Sequence, residues 1–155
     1  MSERDMLAEL QEGAERVLVV DDEPSMRTAL MESFRRLGFE VQGAVDGDDA
    51  LERLARFRPW LVLTDLKMPR RSGLDLIKDI KARAPQTVIV LMTAYGTVET
   101  AVEAMKHGAS DYVLKPFSMD LLERIITNLK EGRESESPTS PAAVEGRAIL
   151  TQDPG

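Results

Sequence analysis

No cysteine occurs among the 155 residues, so neither a disulfide framework nor a thiolate metal site can be built. Such a composition is compatible with a reducing compartment. Positive charge is also in deficit. A formal net charge of −7 argues against nucleic acid as a direct partner of this segment, because phosphate backbones attract basic surfaces. Long apolar runs are missing too: stretches such as Val88–Met92 are strand-sized, and none approaches a membrane span. The first residues (Ser2, Glu3, Arg4, Asp5) lack the apolar core of a signal peptide, so the expected location is the cytoplasm. No Gly-rich nucleotide-binding loop is present.

What is present is an ordinary globular mixture, 43% hydrophobic and 30% charged. The length favours one domain with tails, and a domain of roughly 120 residues buries a core without staples. Residues 1–14 place Met6, Leu7 and Leu10 among charges and read as an N-terminal extension, a short helix or a frayed end. From residue 15 the pattern becomes regular. Val17-Leu18-Val19-Val20 is a strand buried on both faces. Pro24 suits a helix's first turn; Met26, Ala29, Leu30, Phe34 and Leu37 follow at helical spacing, and Gly38 supplies a left-handed stop. Phe39 to Ala44 reads as a second strand, after which Asp46 can cap a helix carrying Ala50, Leu51 and Leu54. Trp60 to Leu63 is a third strand ending at Thr64-Asp65. A helix with Leu74, Ile77 and Ile80 precedes a fourth strand, Val88 to Met92, ending at Thr93. A helix through Val98, Ala101, Val102 and Met105 leads to the short strand Tyr112-Val113-Leu114 and to Lys115-Pro116. Ser118 can cap the last helix, with Leu121, Leu122, Ile125, Ile126 and Leu129 as its apolar stripe.

Strand and helix therefore alternate five times across residues 15–132. Such a chain is best satisfied as an α/β fold: a parallel sheet covered by helices on both faces, with right-handed crossovers. Residues 133–155 turn to Ser, Pro, Glu and Ala and read as a linker, with Ile149-Leu150 as the possible start of a truncated output domain.

In open α/β sheets, ligands bind beyond the carboxyl ends of the strands. Asp21 and Asp22 follow the first strand, Asp65 ends the third, Thr93 the fourth, and Lys115 follows the fifth. Taken singly, each has a duller reading: a helix cap, a turn residue, a solvated lysine. Together they gather three carboxylates, a hydroxyl and an ammonium at one sheet edge. Like charges that close raise each other's pKa, and a divalent cation relieves the conflict. All-oxygen ligands favour Mg²⁺, with Mn²⁺ as the substitute, over Zn²⁺. Asp65 is then the nucleophile toward phosphorus, since an Asp with a pKa near ~3.9 needs no general base. Lys115 and the Thr93 hydroxyl are candidates to neutralise the equatorial oxygens.

The runs Val20-Asp21-Asp22-Glu23-Pro24, Thr64-Asp65-Leu66-Lys67-Met68-Pro69, Met92-Thr93-Ala94 and Lys115-Pro116-Phe117 closely resemble the response-regulator receiver family. The resemblance spans about Arg16 to Gly132. It implies a doubly wound, CheY-like three-layer α/β/α fold with five parallel strands in the order 2-1-3-4-5. It further implies a sensor histidine kinase as phosphoryl donor to Asp65, and Mg²⁺ held by Asp22, Asp65 and the Lys67 carbonyl, with Asp21 acting mainly through water. Thr93 and Tyr112 would be the switch pair that remodels the face made by helix four, strand five and helix five. A phosphorylation-dependent homodimer through that face is an expectation of the same kind. The segment Thr93 to Tyr112 resembles more narrowly the receivers of NtrC-type, sigma-54-dependent transcriptional activators, which implies a transcriptional output domain.

Arg71 departs from the family pattern, which is usually apolar there, beside Asp65's loop. Tyr95, two residues past Thr93, is a candidate shield of the phosphoryl group. His107, the only His, reads as a helix C-terminal cap and dipole partner. Three rivals stand beside the receiver. A haloacid-dehalogenase-type phosphohydrolase would carry its nucleophile after the first strand. A receiver-like module that is never phosphorylated would have lost an acidic or Lys position. A flavodoxin-like cofactor binder would need a phosphate-binding loop.

Overall fold

The computed structural model describes residues 15–94 and 97–132. The extension 1–14, the segment 133–155 and Tyr95 lie outside the described residues. The elements follow in strict alternation: β1 (Arg16–Val20), α1 (Pro24–Arg36), β2 (Glu40–Ala44), α2 (Gly47–Phe57), β3 (Leu61–Asp65), α3 (Gly73–Arg83), β4 (Val88–Thr93), α4 (Val98–Lys106), β5 (Asp111–Leu114) and α5 (Met119–Lys130).

The five strands form one sheet in the order β2-β1-β3-β4-β5, every neighbouring pair parallel. The expected α/β class and strand order are both found. Strand periodicity explains the layers. Val17, Val19, Leu61, Leu63, Val90, Met92 and Val113 face one side, where Leu30 and Phe34 of α1 and Leu122, Ile125 and Ile126 of α5 cover them. Leu18, Val20, Val62, Ile89, Leu91 and Tyr112 face the other, against α2, α3 and α4. Burying both faces explains why the central strands read as unbroken apolar runs. Each fully buried side chain of this kind contributes about 1.5–3 kcal/mol.

The helix ends are set by short polar side chains. Asp46, Ser72, Thr97 and Ser118 accept hydrogen bonds from the backbone N–H three residues on, starting α2, α3, α4 and α5. Pro24 opens α1, and Gly38 (φ 98°) takes the left-handed position just after it. Strand starts differ by one residue from expectation: β1 and β5 begin earlier, at Arg16 and Asp111, and β2 and β3 later, at Glu40 and Leu61. Phe39 and Trp60, the residues left out, stack face to face at 6.5 Å below the sheet. Among the described residues no helix is long and apolar enough to cross a membrane.

Candidate functional site

Parallel strands all point their carboxyl ends the same way, so the residues that leave them share one rim. Register fixes the neighbourhood. β1 Val20 pairs with β3 Thr64, Asp65 lies opposite Met92 of β4, and Thr93 opposite Leu114 of β5. Asp21 therefore emerges beside Asp65, and Lys115 leaves β5 along the same edge. Its N–H donates to the Thr93 carbonyl at 2.8 Å, which continues the ladder one residue past the strand.

The side chains meet as the sequence pattern required. The Lys115 ammonium reaches Asp21 Oδ2 and Asp65 Oδ2, each at 3.3 Å. Carboxylate oxygens of Asp21, Asp22 and Asp65 all lie within 4.8 Å of one another. Burial separates the three. Asp21 is 1% exposed, its Oδ1 taking the Glu23 N–H at 2.9 Å and its carbonyl taking the Arg27 guanidinium at 2.7 Å. The Asp65 side chain is 13% exposed, and its Oδ1 accepts the Leu66 N–H at 2.8 Å. Asp22 faces solvent.

Electrostatics follow from this packing. Burial pushes the Asp65 carboxyl above its ordinary value; Lys115 opposes the shift, and Asp21 adds to it. An ordinary carboxylate pKa therefore does not hold for Asp65 in the folded chain. Burial by itself would lower Lys115, but the facing charges of Asp65 and Asp21 outweigh it and raise the ammonium's pKa. One cation between two carboxylates leaves net negative charge, and Asp22 adds more. An oxygen-only donor set with surplus anion suits a hard divalent cation. The residues fit Mg²⁺.

The switch candidates are both buried: Thr93 fully, at the end of β4, and Tyr112 at 3% exposure. Tyr112 shares a core cluster with Ala101 and Ala104 of α4, so its ring belongs to that helix's footing. Burial, then Asp111, raises the Tyr112 phenol's pKa. Lys67 is exposed on the loop that follows β3, and the half-buried Met68 and the exposed Pro69 line an open hollow of about 590 Å³ beside Asp22. His107 occupies the C-cap of α4 and its ring meets Glu103 at 2.9 Å, in keeping with a capping role. The capping reading of Asp21 is not what is found: α1 has no side-chain cap.

Sequence reasoning placed Gly73 in the loop before the helix but gave it no role. A Cβ there would stand 2.4 Å from the Asp65 carbonyl oxygen and 2.9 Å from the Leu66 Cα, so only glycine lets α3 start against the backbone of Asp65 and Leu66. Its N–H donates to the Leu66 carbonyl at 2.7 Å. The Ser72-Gly73 pair after a strand-end Asp was the available signal. The partners of Arg71 were missed as well: Asp48 at the start of α2 and Asp79 in α3.

Residues 17–127 match the family described as "Response regulator receiver domain". The chain is 44% identical over 111 residues to the regulatory protein AtoC of Escherichia coli, covering 72% of this chain and 24% of that protein. It is 41% identical over 133 residues to the transcriptional regulatory protein ZraR of Klebsiella oxytoca, covering 84% of this chain and 30% of that one. The chain thus spans less than a third of the length of these relatives. Among solved structures, the beryllofluoride-activated NtrC4 receiver domain dimer superposes with a TM-score of 0.72 at 32% identity, over 76% of this chain and 98% of that one. The narrower resemblance to NtrC-type receivers is borne out by these relatives.

Proposed function

The chain belongs to the response regulator receiver domain family, and from that premise we propose that Asp65 is its phosphoacceptor, charged by a sensor histidine kinase with Mg²⁺ bound. The observation that carries this reading is the Lys115 ammonium held 3.3 Å from both Asp21 and Asp65, with Asp22 alongside. Asp65 Oδ2 attacks phosphorus in line, and the leaving group departs on the opposite side. Asp65 Oδ1 stays fixed by the Leu66 N–H, which orients the attacking oxygen. Lys115 pairs with a phosphoryl oxygen as the charge of Asp65 passes into the acyl phosphate, and keeps Asp21 as its second partner. The Thr93 hydroxyl takes another phosphoryl oxygen. Asp22, Asp65 and the Lys67 carbonyl would hold the cation, and Asp21 would act through water. When bound, Mg²⁺ supplies positive charge that neutralises the equatorial phosphoryl oxygens.

Once Thr93 is drawn toward the phosphoryl group, Tyr112 moves, and α4 moves with it because Ala101 and Ala104 pack in the same cluster. That remodels the α4-β5-α5 face, through which two copies associate. The signalling unit covers residues 15–132, with 133–155 leading toward an output domain that acts in transcription. The chain's net charge of −7 argues against direct nucleic-acid contact by these 155 residues.

The relative burial of the acids supports Asp65 over the phosphohydrolase alternative. A nucleophile directly after the first strand would be Asp21, which is 1% exposed, against 13% for the Asp65 side chain. Incubation with acetyl phosphate and Mg²⁺, followed by intact mass, tests the reading. One phosphoryl group on the wild type and none on Asp65→Asn is expected. Equal labelling of both would overturn it.

A further inference from the structure

The loop that follows Asp65 is tied down by a pair of arginines whose partners come from two other elements. The Arg71 guanidinium donates from Nε and Nη2 to Asp48 Oδ1, at 3.2 and 3.0 Å, and from Nη1 to Asp79 Oδ2. Its methylene stem lies on Gly47, where an added Cβ would stand 2.7 Å from the Arg71 Cδ. Arg70 reaches Asp46, the α2 cap, at 3.4 Å and takes a left-handed φ of 70°. A residue with a side chain holds that backbone when its surroundings fix it. The loop is thus pinned at Gly73 N–H to Leu66 O, at the α2 start and on α3.

We propose that Arg71 is a positioning residue: its clasp to Asp48 and Asp79 over Gly47 presets the Asp65–Ser72 loop in its cation-binding shape. This rests on the reading that Asp65 and the Lys67 carbonyl hold Mg²⁺. A planar guanidinium with three donors engaged ties the loop to α2 and α3, where an apolar side chain would only fill space. Without it, binding the cation must also order the loop, and affinity falls by that ordering cost.

Charge and positioning predict opposite signs, which makes the idea testable. Removing a cation near an acidic cluster favours Mg²⁺ by simple Coulomb attraction. Losing the clasp disfavours it. Mg²⁺ binding would be measured by calorimetry on wild type, Arg71→Met, Arg71→Lys and Gly47→Ala, alongside acetyl phosphate labelling rates across a Mg²⁺ series. Gly47→Ala displaces the arginine stem with every charge kept. Arg71→Met and Gly47→Ala are expected to weaken Mg²⁺ by about threefold to tenfold, with Arg71→Lys in between. At saturating Mg²⁺ their labelling rates should return to within about twofold of wild type, since the clasp acts on affinity and not on phosphoryl transfer. Unchanged or tighter Mg²⁺ binding in Arg71→Met would overturn the proposal. So would a depressed saturated rate at unchanged half-saturation. Should wild type itself bind no Mg²⁺, or bind it equally after Asp65→Asn, the parent reading fails instead.

Discussion

Burial raises the Asp65 carboxyl's pKa, and the sign of that shift sets how its stability depends on pH. An acid whose pKa rises on folding binds its proton more tightly in the folded state. Its favourable contribution is present below the unfolded pKa and is lost as pH climbs through the folded value. Ionised Asp65 therefore burdens the metal-free fold at neutral pH. Asp65→Asn should melt above wild type at pH 7 in chelator, with the gap closing toward pH 4. Thermal melts across that range check it, and a lower melting point for the variant at pH 7 would contradict the electrostatics. Gly73→Ala works through sterics instead. A methyl 2.4 Å from the Asp65 carbonyl forces backbone to shift, at a cost of about 2–3 kcal/mol by urea denaturation. Asp21, Asp22, Asp65 and Lys115 were legible in the sequence because their chemistry depends only on residue type and on standing at a strand's end. The roles of Gly73 and Arg71 were not, since what makes each matter is the group opposite it in space, 23 residues away in the pair Arg71–Asp48.

At the scale of elements, β1, β3 and β4 could be read directly, because burial on both faces writes an apolar run into the sequence. Boundaries were harder. Phe39 and Trp60 have strand-like side chains, yet they stack on each other just outside β2 and β3. The caps Ser72 and Thr97 went unnoticed, as a single hydroxyl before a helix is a weak signal amid other polar loop residues. The helices are also unequal in footing. α2 buries Ala50, Leu51, Leu54 and Phe57, whereas α4 buries only Ala101 and Ala104. Less apolar area removed from water means a lower opening free energy. Amide exchange in α4 should outpace that in α2 by at least about tenfold, given even a 1.4 kcal/mol difference in opening. Equal protection in both would remove α4 as the yielding element.

On the scale of the whole molecule, the yielding helix lies at the same edge as the largest exposed apolar side chains of that face. Val98 of α4 is 50% exposed and Leu114 of β5 36%, on the edge strand of the sheet. Between them and the site stands Tyr112, buried in the cluster that supports α4. Under the proposed reading, a phosphoryl group at Asp65 would bias the shape of this surface, where Val98 and Leu114 expose apolar area. Pairing two copies would cover Val98 and Leu114, so the expected readout is association that depends on the phosphoryl mimic. With beryllofluoride and Mg²⁺ the wild-type chain should sediment as a dimer at concentrations where the untreated chain is monomeric. Val98→Asp and Leu114→Asp each place a charge into that contact, and each should weaken association by at least about tenfold, or 1.4 kcal/mol. Neither residue is one of the acidic cluster or its ammonium, so Asp65 should still be labelled by acetyl phosphate in both variants. Dimers that form without the mimic, or that survive both substitutions, would place the contact on another face and uncouple it from Tyr112.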